Sequence, residues 1–562
     1  MIRFTIAILT ATVWYFTATS QSAEPIKKPN VLFIAVDDLN DWVGCMGGHP
    51  QAKTPNLDRL AKSGVLFTNA HCAAPSCNPS RTAIMTGMSP AKSGLYTNTQ
   101  RMRDVLPDTK LLPVLLREQG YTALGSGKIL HYFTDAKSWD GYYPEAKTES
   151  PIPFTLYPKQ RPLSLPRAGP WQYIETDWGP LDATDEEYGG DSLVANYVGQ
   201  QLAKKHDKPF FLACGLYRPH EPWFVPKKYF EPFPLDKIQL PPGYQENDLD
   251  DLSAEGKRRG ANRYFAHIQE HKQWKQGIQG YLAAIYYSDA MFGRVLDALD
   301  KSPHKDNTIV VLWSDHGWHL GEKQHWQKYT AWRACTRVPL MIRVPQLNKP
   351  AVCDRPVNLV SLMPTILELT GLPAHKECDG PSLVPLLKNP AGEWKHISVT
   401  YLDTPGSFGL STDHWRYIKY HTGDEELYDI QADPYEWTNL AGKPEHREKL
   451  NELRKIAPTV FAKVVEPEMK AIAMKKPEKE IPPSKPEGAP ATIQFVNSLG
   501  QPVRIYWVNP NGERKLYAEV KPNDNYRQNI RKGAVWLITD TKDTPVGYFV
   551  GTGVPVKAVI RK

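Results

Sequence analysis

The chain has 562 residues, 41% hydrophobic and 23% charged, which is ordinary for globular protein and enough for a large core and more than one domain. Seven cysteines, at 45, 72, 77, 214, 335, 353 and 378, are too sparse for a disulfide scaffold and include no Cys-x-x-Cys pair, which weakens zinc and dithiol-redox readings. The net charge of +7 comes from no single Lys/Arg run, so nothing points to nucleic acid; the surface reads as mixed and solvated, with a slight lean towards a polyanionic ligand.

Residues 1–23 read as a signal peptide. Arg3 opens it, the apolar "FTIAILTATVWYF" follows, and "TATSQSA" gives a small-residue exit with cleavage after Ser20 or Ala23. Pro25 and Pro29 argue against a buried N-terminal helix. Neither this stretch nor any later one is long enough to span a bilayer comfortably, so the expectation is a periplasmic or secreted protein without a membrane span.

Residues 24–370 alternate apolar runs with amphipathic stretches, the pattern of an α/β domain. "VLFIAV" (31–36), "TALGSG" (122–127), "PFFLACGL" (209–216), "TIVVLW" (308–313) and "VPLMIRV" (338–344) are continuously apolar, as parallel strands covered on both faces should be. Between them, 281–300 places Leu282, Ile285, Phe292, Leu296 and Leu299 on one helical face, with Asp289 as a solvated or capping charge. Residues 371–468 carry shorter elements, "HISVTYL", "WRYIKYH" and "EELYDI", expected as a small antiparallel sheet followed by a charged helix. Residues 469–490, rich in Pro, Lys and Glu, read as an extended linker. Residues 491–562 alternate apolar and polar between turns, which predicts a separate all-β module.

Two of the buried strands end in acids: 31–36 runs into Asp37-Asp38, and 308–313 runs through Ser314 into Asp315-His316. In doubly wound sheets, ligands bind beyond the carboxyl ends of the strands, so both clusters can face one crevice. Three converging carboxylates repel unless a cation neutralises them, and oxygen-rich ligation favours Ca²⁺ or Mg²⁺. Taken singly, each acid could equally cap a helix or turn. Cys77 lies in the frame Cys77-x-Pro79-x-Arg81 with no histidine in local reach, so a thiolate–imidazole pair is not evident.

"CNPSRTAIMTG" (77–87) resembles the signature of type I, formylglycine-dependent sulfatases, in which a maturation enzyme oxidises the cysteine to formylglycine (3-oxoalanine). The resemblance covers most of 28–465 and includes "PNVLFIAVDDLNDWVGCMGG", "GYTALGSGKILH", "KPFFLACGLYRPHEPW" and "SDHGWHLGEKQHWQKYT". "DDLND", "GKILH", "RPHEP" and "DHGWHLGE" bring it nearest to iduronate-2-sulfatase and its bacterial relatives. It implies an alkaline-phosphatase/sulfatase-like α/β fold: a large mixed sheet flanked by helices, a smaller C-terminal antiparallel-sheet subdomain and, here, an appended all-β sandwich. The implied activity is removal of O-sulfate from a sulfated oligo- or polysaccharide.

By resemblance, Asp37, Asp38, Asp315 and His316 hold Ca²⁺ with the modified Cys77 near or on the metal. Arg81, Lys128 and Lys328 offset the charge of a sulfuryl group whose oxygens repel nucleophiles. His131, three residues after Lys128 and so on its face if the segment is helical, assists return to the aldehyde; His220 protonates the leaving sugar oxygen, its imidazole suited by a pKa near working pH. His316 keeps a rival open, a zinc phosphodiesterase or phosphonate hydrolase with Asp315, His316 and His319 on zinc. A lectin-like relative that never receives the modification is a second rival. Trp318, His319, Trp326 and Trp332 are candidates for a sugar subsite or for core, and His325 has no assignment. The tail, 491–562, resembles the von Hippel–Lindau β domain and retains Tyr517 and Trp536, but Ile530 and Ala534 stand where that protein has Ser and His. Tyr517 and Trp536 are candidates for core or for a pocket, and the module for a carbohydrate or protein partner.

Overall fold

The computed structural model describes residues 28–145, 151–158, 176–345, 347, 349–466, 469–477 and 480–561; the expected leader, 1–23, lies outside them. The continuously apolar runs form the centre of an eight-stranded sheet. Its strands are Asn30–Val36 (β1), Val65–Phe67 (β2), Thr122–Gly127 (β3), Gly141–Tyr143 (β4), Phe210–Leu216 (β5), Thr308–Ser314 (β6), Leu340–Arg343 (β7) and Ala351–Cys353 (β8), in the order β8-β2-β7-β6-β1-β5-β3-β4. Every residue of β1, β5 and β6 is buried because helices cover both faces, each over its own apolar cluster.

One expectation about this sheet fails. Residues 338–344 were expected as a further parallel strand, but β7 runs antiparallel to both β6 and β2. The chain leaves β6 at its carboxyl end and stays there through a loop with no helix longer than Arg333–Thr336. Nothing carries it back across the sheet, so it re-enters from the same end.

The helices that matter for the site are Pro55–Ala61 (α1), Cys77–Thr86 (α2), Asp191–Ala203 (α3) and Trp274–Asp300 (α4). The apolar stripe of α4 begins seven residues before its predicted start and packs on α1 and α3. Asp289 on α4 caps, but not its own helix. It is buried and accepts the N–H groups of Asn56 (3.1 Å) and Leu57 (2.8 Å) at the start of α1. Burial raises its carboxyl to about 6.

Beyond the main sheet, Ser398–Tyr401 (β9), Phe408–Ser411 (β10), Trp415–Lys419 (β11) and Glu425–Asp429 (β12) form the expected antiparallel sheet, with Arg447–Ile456 (α5) after it. Glu426 on β12 accepts from Trp332 Nε1 (2.8 Å) and from the hydroxyls of Tyr420 and Tyr428. This small sheet therefore grips the loop that follows β6.

The tail folds into two four-stranded sheets around its own apolar core. They comprise Lys470–Ile472 (β13), Glu487–Asn497 (β14), Val503–Val508 (β15), Arg514–Val520 (β16), Asn525–Lys532 (β17), Val535–Thr539 (β18), Pro545–Val550 (β19) and Val556–Ile560 (β20), in the orders β13-β20-β14-β17 and β16-β15-β18-β19. The stretch read as a free linker is thus partly sheet: β13 pairs with β20, Lys475 bridges Tyr548, and Ser484 bonds Val508 and Val535. Its prolines fall between these contacts, so extended backbone stays free to pair at an edge. Trp536, Ile530 and Ala534 are core, and half-buried Tyr517 meets the Trp536 ring edge-on at 5.0 Å.

All seven cysteines are described and none is in a disulfide. Among the described residues no helix is long and apolar enough to cross a membrane. Replacing Asp289 by Ala strands the first N–H groups of α1. It should lower stability by about 2 kcal/mol, read as a shifted denaturant midpoint with an unchanged slope.

Candidate active site

Four adjacent parallel strands, β3-β5-β1-β6, deliver their carboxyl ends to one place. β1 ends in Asp37-Asp38, β6 in Asp315-His316, β3 in Lys128, and β5 continues through Tyr217-Arg218-Pro219 to His220. Side chains alternate along a strand, so neighbouring aspartates would face opposite ways. Asp38 escapes this by taking φ 58°, a conformation Asp tolerates better than most residues, and both carboxylates reach the site. The turn is braced from α4: Tyr281 donates its hydroxyl to Asp38 O (2.7 Å) and accepts from Asn40 N (3.0 Å).

The three carboxylates are buried with three cations. Arg81 donates through Nη2 to Asp37 Oδ1 (2.9 Å) and through Nε to Asp315 Oδ2 (2.7 Å); its Nη1 goes to the carbonyls of Lys128 and Ile129. Lys128 donates to Asp37 Oδ2, and Lys328 donates to Asp38 Oδ1 (2.9 Å). Burial pushes Asp37 and Asp315 up, but the surrounding positive charges, Lys128 foremost for the first and Arg81 foremost for the second, together outweigh it and hold both below the usual carboxylate range. Asp38 differs: burial, only partly offset by Lys328, raises it to about 7. Its Oδ2 is buried with no hydrogen-bond partner.

Cys77 opens α2 and is fully buried. Its Sγ lies 3.2 Å from Lys328 Nζ, 3.6 Å from Lys128 Nζ, 3.3 Å from His316 Nε2 and 4.0 Å from Asp38 Oδ1. Burial pushes the thiol up, yet Lys128 and Lys328 bring it below its ordinary value; a helix N-terminus acts in the same direction.

Two donor sets gather here, Asp37, Asp38, Cys77 and His220, and Asp38, Cys77, Asp315 and His316, each with its ligand atoms within 4.8 Å of one another. His316 faces Gly317 O through Nδ1 (3.0 Å), which leaves Nε2 for the site. The orphaned Asp38 oxygen and the two carboxylates that each set contributes beside one thiol and one imidazole fit a hard divalent cation. The zinc rival needs His319, and His319 is turned away: its ring nitrogens face Glu322 O (3.2 Å) and Thr330 Oγ1 (2.6 Å).

His220 stands with Nε2 3.7 Å from Asp38 Oδ2 and donates through Nδ1 to Glu221 O (2.6 Å). Tyr217 stacks on it at 4.7 Å. The expectation of an imidazole titrating near working pH fails for the resting site. Burial, reinforced by Lys128 and Lys328, holds both His220 and His131 well below the usual histidine value. The helical face invoked for Lys128 and His131 is absent too, since 128–131 is an irregular turn after β3. His131 is buried beside Tyr132, with Nδ1 unpartnered, and stands outside the donor sets around Cys77.

Trp318, Trp326 and Trp332 are core, each 2% exposed or less. His325 faces Gly260 O and Lys328 O (2.7 and 2.9 Å), so it fixes the backbone that carries Lys328. Sequence reasoning missed several supports. Asp191, at the start of α3, accepts the N–H groups of Tyr217 (2.7 Å) and Arg218 (2.9 Å). Gly127 and Gly215 let β3 and β5 close up: a Cβ on Gly215 would lie 2.4–2.5 Å from the backbone of Lys128. The glycines in "TALGSG" and "LACGL" were the only signal of this.

Buried carboxylates, a thiol and lysines gathered at the strand ends of an α/β sheet, in groups that could hold a cation, are the kind of site that hydrolyses anionic esters. Comparison with known proteins names the family. The sulfatase family profile matches residues 29–372, and the profile of the N-sulphoglucosamine sulphohydrolase C-terminal region matches 321–460. A sulfatase of Formosa agariphila is 38% identical over 79% of this chain and 89% of its own. Iduronate 2-sulfatase of Mus musculus is 29% identical over 70% and 78%. A structure solved with its substrate D-glucosamine-2-N,6-O-disulfate superposes with a TM-score of 0.61 at 22% identity, covering 76% of this chain and 97% of that one. The phosphonate monoester hydrolase of Agrobacterium radiobacter superposes equally well, 0.61 at 20% identity over 76% and 94%, so the fold alone does not choose between the two chemistries. The chain belongs to the sulfatase family and is a sulfuric ester hydrolase with the alkaline-phosphatase-like fold of its relatives.

Replacing Gly215 by Ala should displace Lys128 by a fraction of an ångström to an ångström. The expected result is a fall in kcat of about 100-fold together with a lowered melting temperature, because the atoms that must give way are backbone; an unchanged kcat in the folded variant would show that Lys128 needs no such placement.

Proposed function

We propose that the protein removes O-sulfate from a sulfated saccharide, a 2-sulfated uronic acid or another unit of a glycosaminoglycan or algal oligosaccharide, through a formylglycine made from Cys77. The observation that carries this is the position of Cys77 Sγ, fully buried at the start of α2, between two lysines and beside an orphaned carboxylate oxygen. Relatives named iduronate 2-sulfatase and ulvan-active sulfatase support the saccharide class. The working enzyme in this reading is periplasmic or secreted, with 24–370 as catalytic domain, 371–468 as its subdomain and 491–562 as an accessory sandwich of von Hippel–Lindau type.

Asp37, Asp38, Asp315 and His316, with the converted side chain of residue 77, would hold Ca²⁺, which supplies positive charge to the sulfuryl oxygens. Formylglycine would supply a hydrated aldehyde: one hydroxyl to attack sulfur as the bond from sulfur to the sugar oxygen breaks, and a second whose proton loss re-forms the aldehyde as the carbon–oxygen bond to the sulfate breaks and sulfate leaves. The chain's own residues do the rest. Arg81 faces the carboxylates and not the substrate, so its part is to keep Asp37 and Asp315 ionised and aligned. Lys128 and Lys328 flank the reacting side chain and stabilise charge that grows on the sulfuryl group. His220 holds the proton for the departing sugar oxygen at Nε2, and the anionic ester makes that protonation possible by offsetting the two lysines. His131, close to the same lysines, takes the proton released as the aldehyde returns.

Peptide mapping of active enzyme should find residue 77 lighter by about 18 Da than cysteine, or at cysteine's mass as the hydrate. Cys77→Ala should abolish turnover with the fold intact. Chelation should do the same reversibly, with calcium restoring activity; an untouched thiol in active enzyme overturns the reading. His220→Ala should cost about 100-fold or more on sugar sulfates and little on activated aryl sulfates, and equal losses on both would remove its proton-donor role.

A further inference from the structure

One cleft lies where the tail sandwich meets the rest of the chain. It encloses about 320 Å³ between Thr99 and Glu466 on the catalytic side and Thr492, Arg527, Gln528 and Asn529 on the sandwich. Its catalytic wall is a collar on the helix that carries Cys77. Asn98 Oδ1 accepts the N–H of Asn78 (2.9 Å), and Asn78 Nδ2 donates to the carbonyls of Thr97 (3.0 Å) and Gln100 (2.6 Å). Gln100 Nε2 in turn donates to Val465 O (2.9 Å), so the segment bearing Glu466 is tied to the same loop. The cleft lies one loop away from Asn78, the residue next to Cys77.

The opposite wall is the outer face of β14 and β17. Ile493 and Phe495 point into the sandwich core, so the residues between them point out. Thr492 stands opposite Asn529, and Gln494 opposite Arg527. Thr492 is only 8% exposed although it lies on the outward face. Arg527 Nη1 donates to Glu466 Oε2 (3.1 Å) with both side chains about half exposed, an ion pair that water screens and a bound anion can displace. Hydroxyls, amides and one guanidinium line the cleft beside the Glu466 carboxylate and the Met469 thioether, with no aromatic ring among the lining residues; once the guanidinium leaves Glu466, this lining suits a hydrophilic anionic sugar.

We propose that this cleft is a second saccharide subsite. It holds a sulfated or carboxylated sugar unit of the same chain whose sulfate ester occupies the catalytic pocket, with Arg527 taking the anionic group in place of Glu466. The proposal rests on the saccharide-sulfatase reading above and adds that the sandwich makes the enzyme sensitive to chain length.

Wild type, Arg527→Ala and Glu466→Gln are compared on sulfated hexasaccharides from heparin, chondroitin sulfate and ulvan and on 4-nitrophenyl sulfate. On the hexasaccharide that is turned over, Arg527→Ala should raise KM about tenfold, and Glu466→Gln should lower it two- to threefold by freeing the guanidinium. Neither should change the aryl sulfate. An unchanged KM in Arg527→Ala, or shifts of the same sign in both variants as for a mere structural tie, overturns the subsite. If wild type releases sulfate from none of these substrates, the activity reading has failed, and calorimetric titration of the same hexasaccharides decides the cleft separately. Binding weakened about tenfold by Arg527→Ala supports it, and no binding, or binding that the variant leaves unchanged, overturns it.

Discussion

Arg81 is the interaction on which the rest of the site depends. Asp37 and Asp315 end two neighbouring strands, and both are fully buried; each ion taken out of water costs several kcal/mol unless it is paired and hydrogen-bonded. One planar guanidinium meets both carboxylates and two carbonyls at once, a task for which lysine has the charge but not the geometry. Lys128 on Asp37 and Lys328 on Asp38 add two more cations beside carboxylates of which one, Asp38, is raised to about 7. The charges of the cluster thus largely offset one another inside the protein, which is what lets so many ionisable groups be buried together.

The scaffold explains why these groups meet. Four parallel strands point the same way, so whatever follows each of them arrives at one rim. The N-terminus of α2 arrives there too, held by Ser80 Oγ donating to Asp315 O (2.6 Å). Close strand spacing then fixes the lysine: only glycine at 127 and 215 allows the backbone of residue 128 to lie against β5.

How much of this was legible follows from the range of each signal. Continuous apolar runs gave β1, β3, β5 and β6, and acids at two of their ends located the crevice. The direction of β7 was hidden because it depends on the connection before it and not on its own apolar residues. Pro-rich composition suggested a linker at 469–490, while pairing with β20, 86 positions further on at Lys470–Val556, made part of it sheet. Tyr281, Asp191 and Asp289 act on partners 26 to 243 positions away, and nothing local marks them. Cys77 was a special case: its frame is short, and only resemblance to a family, not residue chemistry, singled it out.

The buried imidazoles turn this electrostatic design into a condition on catalysis. His220 and His131 lie where burial, reinforced by Lys128 and Lys328, disfavours a positive charge and holds both well below the usual histidine value. In the mechanism proposed above, the donor must therefore gain its proton affinity from the arrival of the substrate. A sulfate ester brings one negative charge, which reduces the repulsion from the lysines and raises the proton affinity of an imidazole within reach. In the mechanism proposed above, the same lysines that would otherwise disable the acid make its protonation conditional on an anion in the pocket, and a neutral ester of the same shape gains nothing from it. On that proposal, selectivity for charge and readiness of the acid come from one arrangement, the pair of cations on either side of Cys77.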